Sequence, residues 1–421
     1  MLKIINCKNK NYLILLKNLL ERRKYKMNLD TEIVPKILRD IRKYKFKALL
    51  KYENKFSSNS EIKPNIIKIR KSIKSLDPKI KKAIDFAYKR IYSFHKKQKF
   101  KNIFYRDNLN NKLEYKFVPI QSVGIYVPSN LPSTLLMNAI PAKIAGVKRI
   151  VLANPKLNGK LNSAVLYAAK KIGIKEIYTI GGAQAIGSLT YIQKVNKIIG
   201  PGNAYVARAK KEVFGDVGIE GMIAGPSEIS VLADNSTNLN EVITSIIGQA
   251  EHDVNSQCIL ITKEKKLIDN FLKNFLSKLN NLPKRNIILK SLKKNGIIIF
   301  AQNDKQIIDI INEIAPEHLE LNIKNYKKYL NKIFNCGSIC IGKYSPMAVT
   351  DYNAGTNHVL PTLGSAKFSS GLNLSEFYKK ISYITLSKKG IEKIGEYATH
   401  LAEYEELEGH AQSIKSRLRR K

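Results

Sequence analysis

Six histidines occur in the 421-residue chain, and four of them stand beside other side chains able to bind metal or move protons. In "GQAEHD", Gln249 and His252 lie three apart at what reads as a helix end, so both can face one point. "APEHLE" joins Glu317 to His318, "DYNAGTNHVLPT" carries Asp351 and His358 in a turn-rich stretch, and "EYEELEGHAQS" carries Glu405 and His410. Imidazole and carboxylate groups without thiolates suit zinc or a similar ion that keeps one position open to a ligand. The adjacent Glu317 and His318 offer a carboxylate and an imidazole for proton transfer. Taken singly, each cluster is as well explained by an ordinary surface or core histidine. The four together point to a metal-dependent α/β enzyme without specifying its reaction.

The elements that must position these groups follow from the apolar pattern. The first hundred residues are Lys-rich and helical, as in "EIVPKILRDIRKYKFKALLKYENKF", with apolar residues three and four apart. From Ser122 the texture changes. "SVGIYVP", "RIVLANP" and "EIYTIG" read as strands, and "LLMNAIPAKIAGV" and "LNSAVLYAAKKIG" as helices between them. A second alternating block opens near Glu228 with "EISVLAD", "SQCILIT" and "GIIIFA". Short apolar strands alternating with helices argue for parallel β-α-β units. The expected fold is therefore α/β, with two Rossmann-like parallel-sheet domains. A helical N-terminal region (1–121) leads into a first such domain (122–227). A second domain (228–374) carries the metal and catalytic candidates, and a helical tail (375–421) follows.

The G-x-G-x-x-G fingerprint of dinucleotide sites is absent from the sequence. In its place stand "GGAQAIG" and "GPGNAYV", each after a strand-like run and so at the carboxyl end of a parallel strand, where open α/β sheets take ligands. Glycines allow backbone N–H groups close to a phosphate, although they also make ordinary tight turns. The amides of Gln184 and Asn203 inside these loops favour a cofactor, since each can hydrogen-bond a ribose or nicotinamide group.

Composition excludes some classes. Hydrophobic residues make up 44 %, as in an ordinary globular protein, and no apolar run approaches membrane-spanning length. "YLILLKNLL" is interrupted by Lys17 and reads as an amphipathic helix of a cytoplasmic protein. Cys7, Cys258, Cys336 and Cys340 are too few for a disulfide framework and are expected to be free thiols. The formal net charge of +39 would suit a nucleic-acid binder. The lysines are spread along the whole chain, however, and Lys, Asn, Ile and Tyr, all with A/T-rich codons, are abundant while Trp is absent. Compositional drift explains this better than a specific nucleic-acid partner.

"SVGIYVP", "PSTLLMNAIPAKIAGV", "GGAQAIG", "GPGNAYV", "IAGPSEI", "GQAEHD", "APEHLE", "DYNAGTNHVLPT" and "FSSGL" occur in the order seen in histidinol dehydrogenases, which the chain resembles almost end to end, from "LLERR" to "EGHAQSIKSRL". The resemblance implies a four-electron oxidation of L-histidinol to L-histidine through bound L-histidinaldehyde, using two NAD, as the last step of histidine biosynthesis. It implies Gln249, His252, Asp351 and His410 as zinc ligands and Glu317 and His318 as the catalytic pair. Tyr126, Gln184 and Asn203 become NAD contacts. Ser227 and Glu405 become substrate contacts, joined by His318 and the zinc ligands, with His358 close by. It also implies a homodimer in which the tail crosses over, so that Glu405 and His410 complete the other chain's site. Three features depart from the family pattern: a short loop, "SNLPST", after Pro128; Met347 where a glutamate is usual; and Thr350 where a glycine is usual. They are expected to affect rate or stability rather than function. Rival readings are a zinc hydrolase, a nucleic-acid-binding protein and a folded chain that no longer turns over.

Overall fold

The computed structural model describes residues 2–25, 31–128, 130–220 and 225–418. Strand β1 (Lys3–Asn6) opens the chain, and β2 (Ile103–Arg106) and β3 (Lys112–Pro119) form an antiparallel pair after a run of helices. Strands β4 (Ser122–Tyr126), β5 (Arg149–Ala153), β6 (Glu176–Tyr178), β7 (Lys197–Ile199) and β8 (Gly218–Ile219) make one parallel sheet, in the order β6-β5-β4-β7-β8. Strands β9 (Glu228–Ala233), β10 (Gln257–Thr262), β11 (Gly296–Phe300), β12 (His318–Asn322) and β13 (Ser338–Ile341) make a second, and β14 (Tyr378–Thr385) returns to β3.

Both parallel sheets have the same plan. In each, the first strand lies in the middle, the second and third extend to one side, and the fourth and fifth extend to the other. The central strands are buried along their whole length, β4 as SVGIY, β9 as EISVLA and β10 as QCILIT. Continuous apolar runs of this kind fit sheets covered by helices on both faces. Each sheet accordingly has two cores. Ile125, Leu135 and Ile140 belong to one face of the first sheet, and Ile41, Val151 and Ile186 to the other. Helix Ile33–Ser57 supplies part of the second core through Val34, Ile37, Leu38 and Ile41, spaced three and four apart, before breaking at Lys45 (φ 50°, ψ −125°).

Three features differ from the sequence reading. The N-terminal region is not wholly helical: β1 adds a sixth strand to the far edge of the second sheet, pairing with β11 from Lys3↔Ile297 to Asn6↔Phe300. Helix Tyr12–Tyr25 packs there too, with Leu16 buried in a core of the second sheet. Nor is the tail helical throughout: a single 3-10 turn, Leu374–Phe377, leads into a strand. Its first eight-residue element is β14, which pairs with β3 from Tyr378↔Pro119 to Thr385↔Lys112. Their partners are remote in sequence, so the local pattern does not give their pairing. Two helices, Lys388–Tyr404 and Glu408–Leu418, complete the tail and pack on each other. Among the described residues no helix is long and apolar enough to cross a membrane.

Candidate active site

In the first sheet the direction of strand order reverses between β4 and β7, which opens a crevice at their carboxyl ends. Gly200 follows β7 there with φ +106°, and a Cβ at that position would lie 2.0 Å from the Tyr126 carbonyl oxygen. Only glycine permits so close a crossing of the two strand ends. The second sheet meets this crevice with its opposite edge. Glu228 and His318 are the first residues of β9 and β12, Gln249 lies in the last turn of helix Leu239–Ala250, and His252 follows that turn. The carboxyl edge of the second sheet is closed by its own bonds: the Thr237 hydroxyl donates to the Asn322 carbonyl, and the Lys324 N–H donates to Ser236 Oγ at 3.2 Å.

Between the two edges lies a cavity of about 280 Å³. Ser133, Thr134, Gly200, Pro201 and Ser227 line it from the stretch that forms the first sheet, and Gln249, His252, Glu317, His318, Asp351 and His358 from the stretch that forms the second. Larger hollows of about 720 and 740 Å³ open elsewhere, walled in part by the N-terminal helices, and none of the histidine clusters lines them.

His318 is 3 % exposed, with Nε2 3.8 Å from Asp351 Oδ1 and 4.0 Å from Glu317 Oε1. Burial, then the proximity of His358 and His252, pushes its pKa down to about 3, so its imidazole is neutral and offers a lone pair. Glu317 Oε2 accepts the Glu228 N–H at 2.7 Å, which turns the carboxylate and anchors one oxygen. His358 Nδ1 lies 2.7 Å from the Asp351 carbonyl oxygen, and burial lowers its pKa to about 4. His252 stands at the mouth, where desolvation by the cavity walls lowers its pKa, Glu251 opposes that shift, and Lys284 adds to it.

The fit of this donor set to a metal can be tested on two observations. The Gln249 side chain is 1 % exposed, and neither of its polar atoms has a hydrogen-bond partner in the chain. Burial alone pushes the Asp351 carboxyl up to about 7. An orphaned buried amide and a desolvated acid are both costs that a shared cation would remove. Gln249, His252 and Asp351 thus fit a zinc-like ion in kind. Among the described residues of a single chain, though, no three His, Cys, Asp or Glu side chains group tightly enough to hold one.

His410, expected as the fourth ligand, is exposed on helix Glu408–Leu418, and Glu405 is exposed just before that helix; neither lines the cavity. The arm that carries them also exposes Tyr397, Leu401 and Tyr404, the last at 89 %. The three NAD candidates lie along the first sheet's carboxyl edge, engaged internally. The Tyr126 hydroxyl accepts the Gly182 N–H at 3.4 Å, and Asn203 Oδ1 caps helix Ala204–Glu212 through the Val206 N–H. Gln184 is buried, with Nε2 donating to Glu53 Oε1 at 2.9 Å.

Sequence reasoning missed Glu53, Glu228 and Glu320. Glu53 is fully buried and also accepts the Gly181 N–H at 2.9 Å; burial raises its pKa against the pull of these donors. Nothing in a Lys-rich helix marks it out. Glu320 lies two residues beyond His318 on β12, a period-two spacing that could have been noticed. Its Oε1 accepts the Met347 N–H at 2.6 Å, tethering the short helix Met347–Tyr352 that carries Asp351. This accounts for two departures from the family pattern: Met347 contributes its backbone and buries its side chain in the core, and Thr350 Oγ1 bonds back to the Met347 carbonyl. In the short loop Ser129 lies outside the described residues, as do Ile223 and Ala224 of "IAGPSEI". The thiols of Cys7, Cys336 and Cys340 are pushed by burial up to about 11, 12 and 12, and none lines the cavity.

A family model for histidinol dehydrogenase matches residues 20–418. The chain is 58 % identical over 428 residues to a histidinol dehydrogenase of Pelagibacter ubique, covering 100 % of both chains. It is 41 % identical over 396 residues to one of Acinetobacter baylyi, covering 91 % of this chain and 92 % of the other. Its structure is similar to that of a histidinol dehydrogenase from Elizabethkingia anophelis, with a TM-score of 0.91 and 36 % identity across 99 % of this chain and 98 % of that one.

Proposed function

The chain belongs to the histidinol dehydrogenase family, and from that premise we propose that it oxidises L-histidinol to L-histidine through bound L-histidinaldehyde, reducing two NAD, in the last step of histidine biosynthesis. The observation that carries this reading is the shared cavity. Glu317, His318, Gln249, His252, Asp351 and Ser227 all line it, directly against the strand-order reversal of the first sheet.

Gln249, His252 and Asp351 would hold a zinc ion, with the partner subunit's His410 as a further ligand. Zinc supplies a Lewis-acid anchor for the imidazole and amine of histidinol, and NAD supplies the hydride acceptor. The chain's own residues do the rest. His318, neutral because it is buried, accepts the alcohol proton. Glu317, with Oε2 anchored on the Glu228 N–H, keeps Oε1 toward His318 and activates the water that hydrates the aldehyde. His318 then takes the proton of the hydrate. A cavity walled by both domains retains the reactive aldehyde between the two oxidations and orients its carbon. None of the four thiols lines the cavity, so the proposed sequence uses no acyl transfer to cysteine.

Tyr126, Gln184 and Asn203 shape the carboxyl edge on which the dinucleotide would lie. Ser227 and the partner subunit's Glu405 would contact the substrate. A homodimer in the cytoplasm, with neither a membrane nor a specific nucleic acid as partner, fits the exposed apolar arm and the dispersed charge. The test is NADH formation followed by absorbance with histidinol, NAD and zinc. Two NADH per histidinol are expected, with loss of activity in a strong chelator and recovery on adding zinc. One NADH per histidinol, or full activity in the chelator, would overturn the reading.

A further inference from the structure

Strands β7 and β8 are three and two residues long and, among the described residues, pair at Lys197↔Gly218 and Ile198↔Ile219. Just past this ladder stand Gly200, which crosses Tyr126 and lines the cavity, and Glu220, which precedes Gly225 and Ser227 on the cavity wall. The carbonyls of Gly200 and Glu220 both meet a donor from a neighbouring helix. The donor here is a lysine. Lys210 of helix Ala204–Glu212 is 2 % exposed, and its Nζ donates to the Gly200 carbonyl at 2.5 Å and to the Glu220 carbonyl at 3.2 Å. Burial lowers its pKa to about 8, with the charge of Glu220 opposing. A lysine so deeply buried is costly unless its donors are used.

We propose that Lys210 is a positioning residue for the dinucleotide. Its ammonium group ties the ends of β7 and β8 together, and so sets the height of the 200–203 turn above Tyr126 at the mouth of the cavity. This rests on the reading that NAD lies along the carboxyl edge of the first sheet. Lys210 does not line the cavity that holds Glu317 and His318, so the effect of its loss should fall on the cofactor rather than on the chemistry.

The test compares the full-length, zinc-loaded enzyme with Lys210→Met and Lys210→Arg. Removing the ammonium should raise the KM for NAD about tenfold or more, and leave the KM for histidinol and kcat at saturating NAD within about threefold. Lys210→Arg, which retains charge and donors, should recover most of the NAD affinity. An unchanged KM for NAD would overturn the proposal. So would an equal loss in kcat and both KM values, since that is what general destabilisation produces. If the Met chain does not fold, Lys210→Gln keeps one donor and carries the same prediction: a raised KM for NAD supports the proposal, and an unshifted one overturns it. Calorimetry of NAD on the unsubstituted enzyme separates the two levels. Binding there, with no effect of the variants, sinks only the role of Lys210. No binding and no NAD reduction sinks the dinucleotide reading itself.

Discussion

His318 lies at the bottom of a cavity, whereas His410 is exposed on an arm outside it. The arm cannot swing back to its own cavity cheaply, because β14 is paired with β3 over its full length, from Tyr378↔Pro119 to Thr385↔Lys112. If both histidines belong to one working site, that site takes His318 from one chain and His410 from another. The perturbation is to inactivate each separately, as His318→Ala and His410→Ala, and then to unfold and reassociate the two chains at equal concentration. Random pairing of two chains into two-fold dimers gives about half mixed dimers, and each mixed dimer has one site with both histidines and one with neither. The expected activity is therefore about one quarter of that of the unsubstituted enzyme, against a background where each variant alone is nearly inactive. The assay is NADH formation at saturating histidinol, NAD and zinc, with the mixed fraction counted by native mass spectrometry on chains of different tag mass. A control pair, His318→Ala with Asp351→Ala, places both defects on cavity residues and should restore nothing. Activity that stays at the level of the single variants while half the dimers are mixed would refute the shared site, and with it the zinc ligand set that includes His410.

Glu317→Gln should slow aldehyde oxidation by about a hundredfold or more while slowing alcohol oxidation less, as single-turnover NADH traces from each substrate would read; equal losses would count against the division of roles. Gly200→Ala should cost about 2–4 kcal/mol, from a left-handed backbone and a Cβ forced against the Tyr126 carbonyl, and should weaken NAD binding along with the fall in Tm. A variant with normal Tm and normal NAD affinity would show that the crossing is slacker than described. At Asp304, burial raises the carboxyl pKa, but Lys263, Lys328 and Tyr329 together outweigh it and hold the group well below its usual range. A carboxylate with a depressed folded pKa stabilises at every pH above its unfolded value of about 4 and loses that contribution only as pH falls further. The Tm difference between Asp304→Asn and the unsubstituted chain should therefore stay constant from pH 8 to 5 and narrow only below about pH 4. Narrowing between pH 7 and 5 would contradict the assignment.

The alternation of strands and helices from Ser122 onward was legible because each strand is a short, continuous apolar run and each helix a local periodicity. The chemical groups were legible by type: "APEHLE", "GQAEHD" and "DYNAGTNHVLPT" all supply residues of one cavity. What local pattern could not reveal was pairing at a distance. β1 is four residues whose partner, β11, lies midway through the second block of strands, and β14 is a Lys-containing stretch with its partner on β3. The cavity meets the carboxyl edge of the first sheet and the amino edge of the second, so the rule that open α/β sheets take ligands at their carboxyl edges points to only one of its two walls.

Glu53 and Lys210 mark the boundary most sharply. In sequence each is one more charged residue on a Lys-rich helix, to be placed in solvent on the usual expectation. In the fold both are buried and bonded to backbone groups of the first sheet's crevice, at two strand ends and a helix start. Residue type and order determined which elements form and which side chains are able to do chemistry. Tertiary structure alone decided which of those side chains meet, and which charges are drawn inside, because both depend on the unpaired groups that remain where separate elements end.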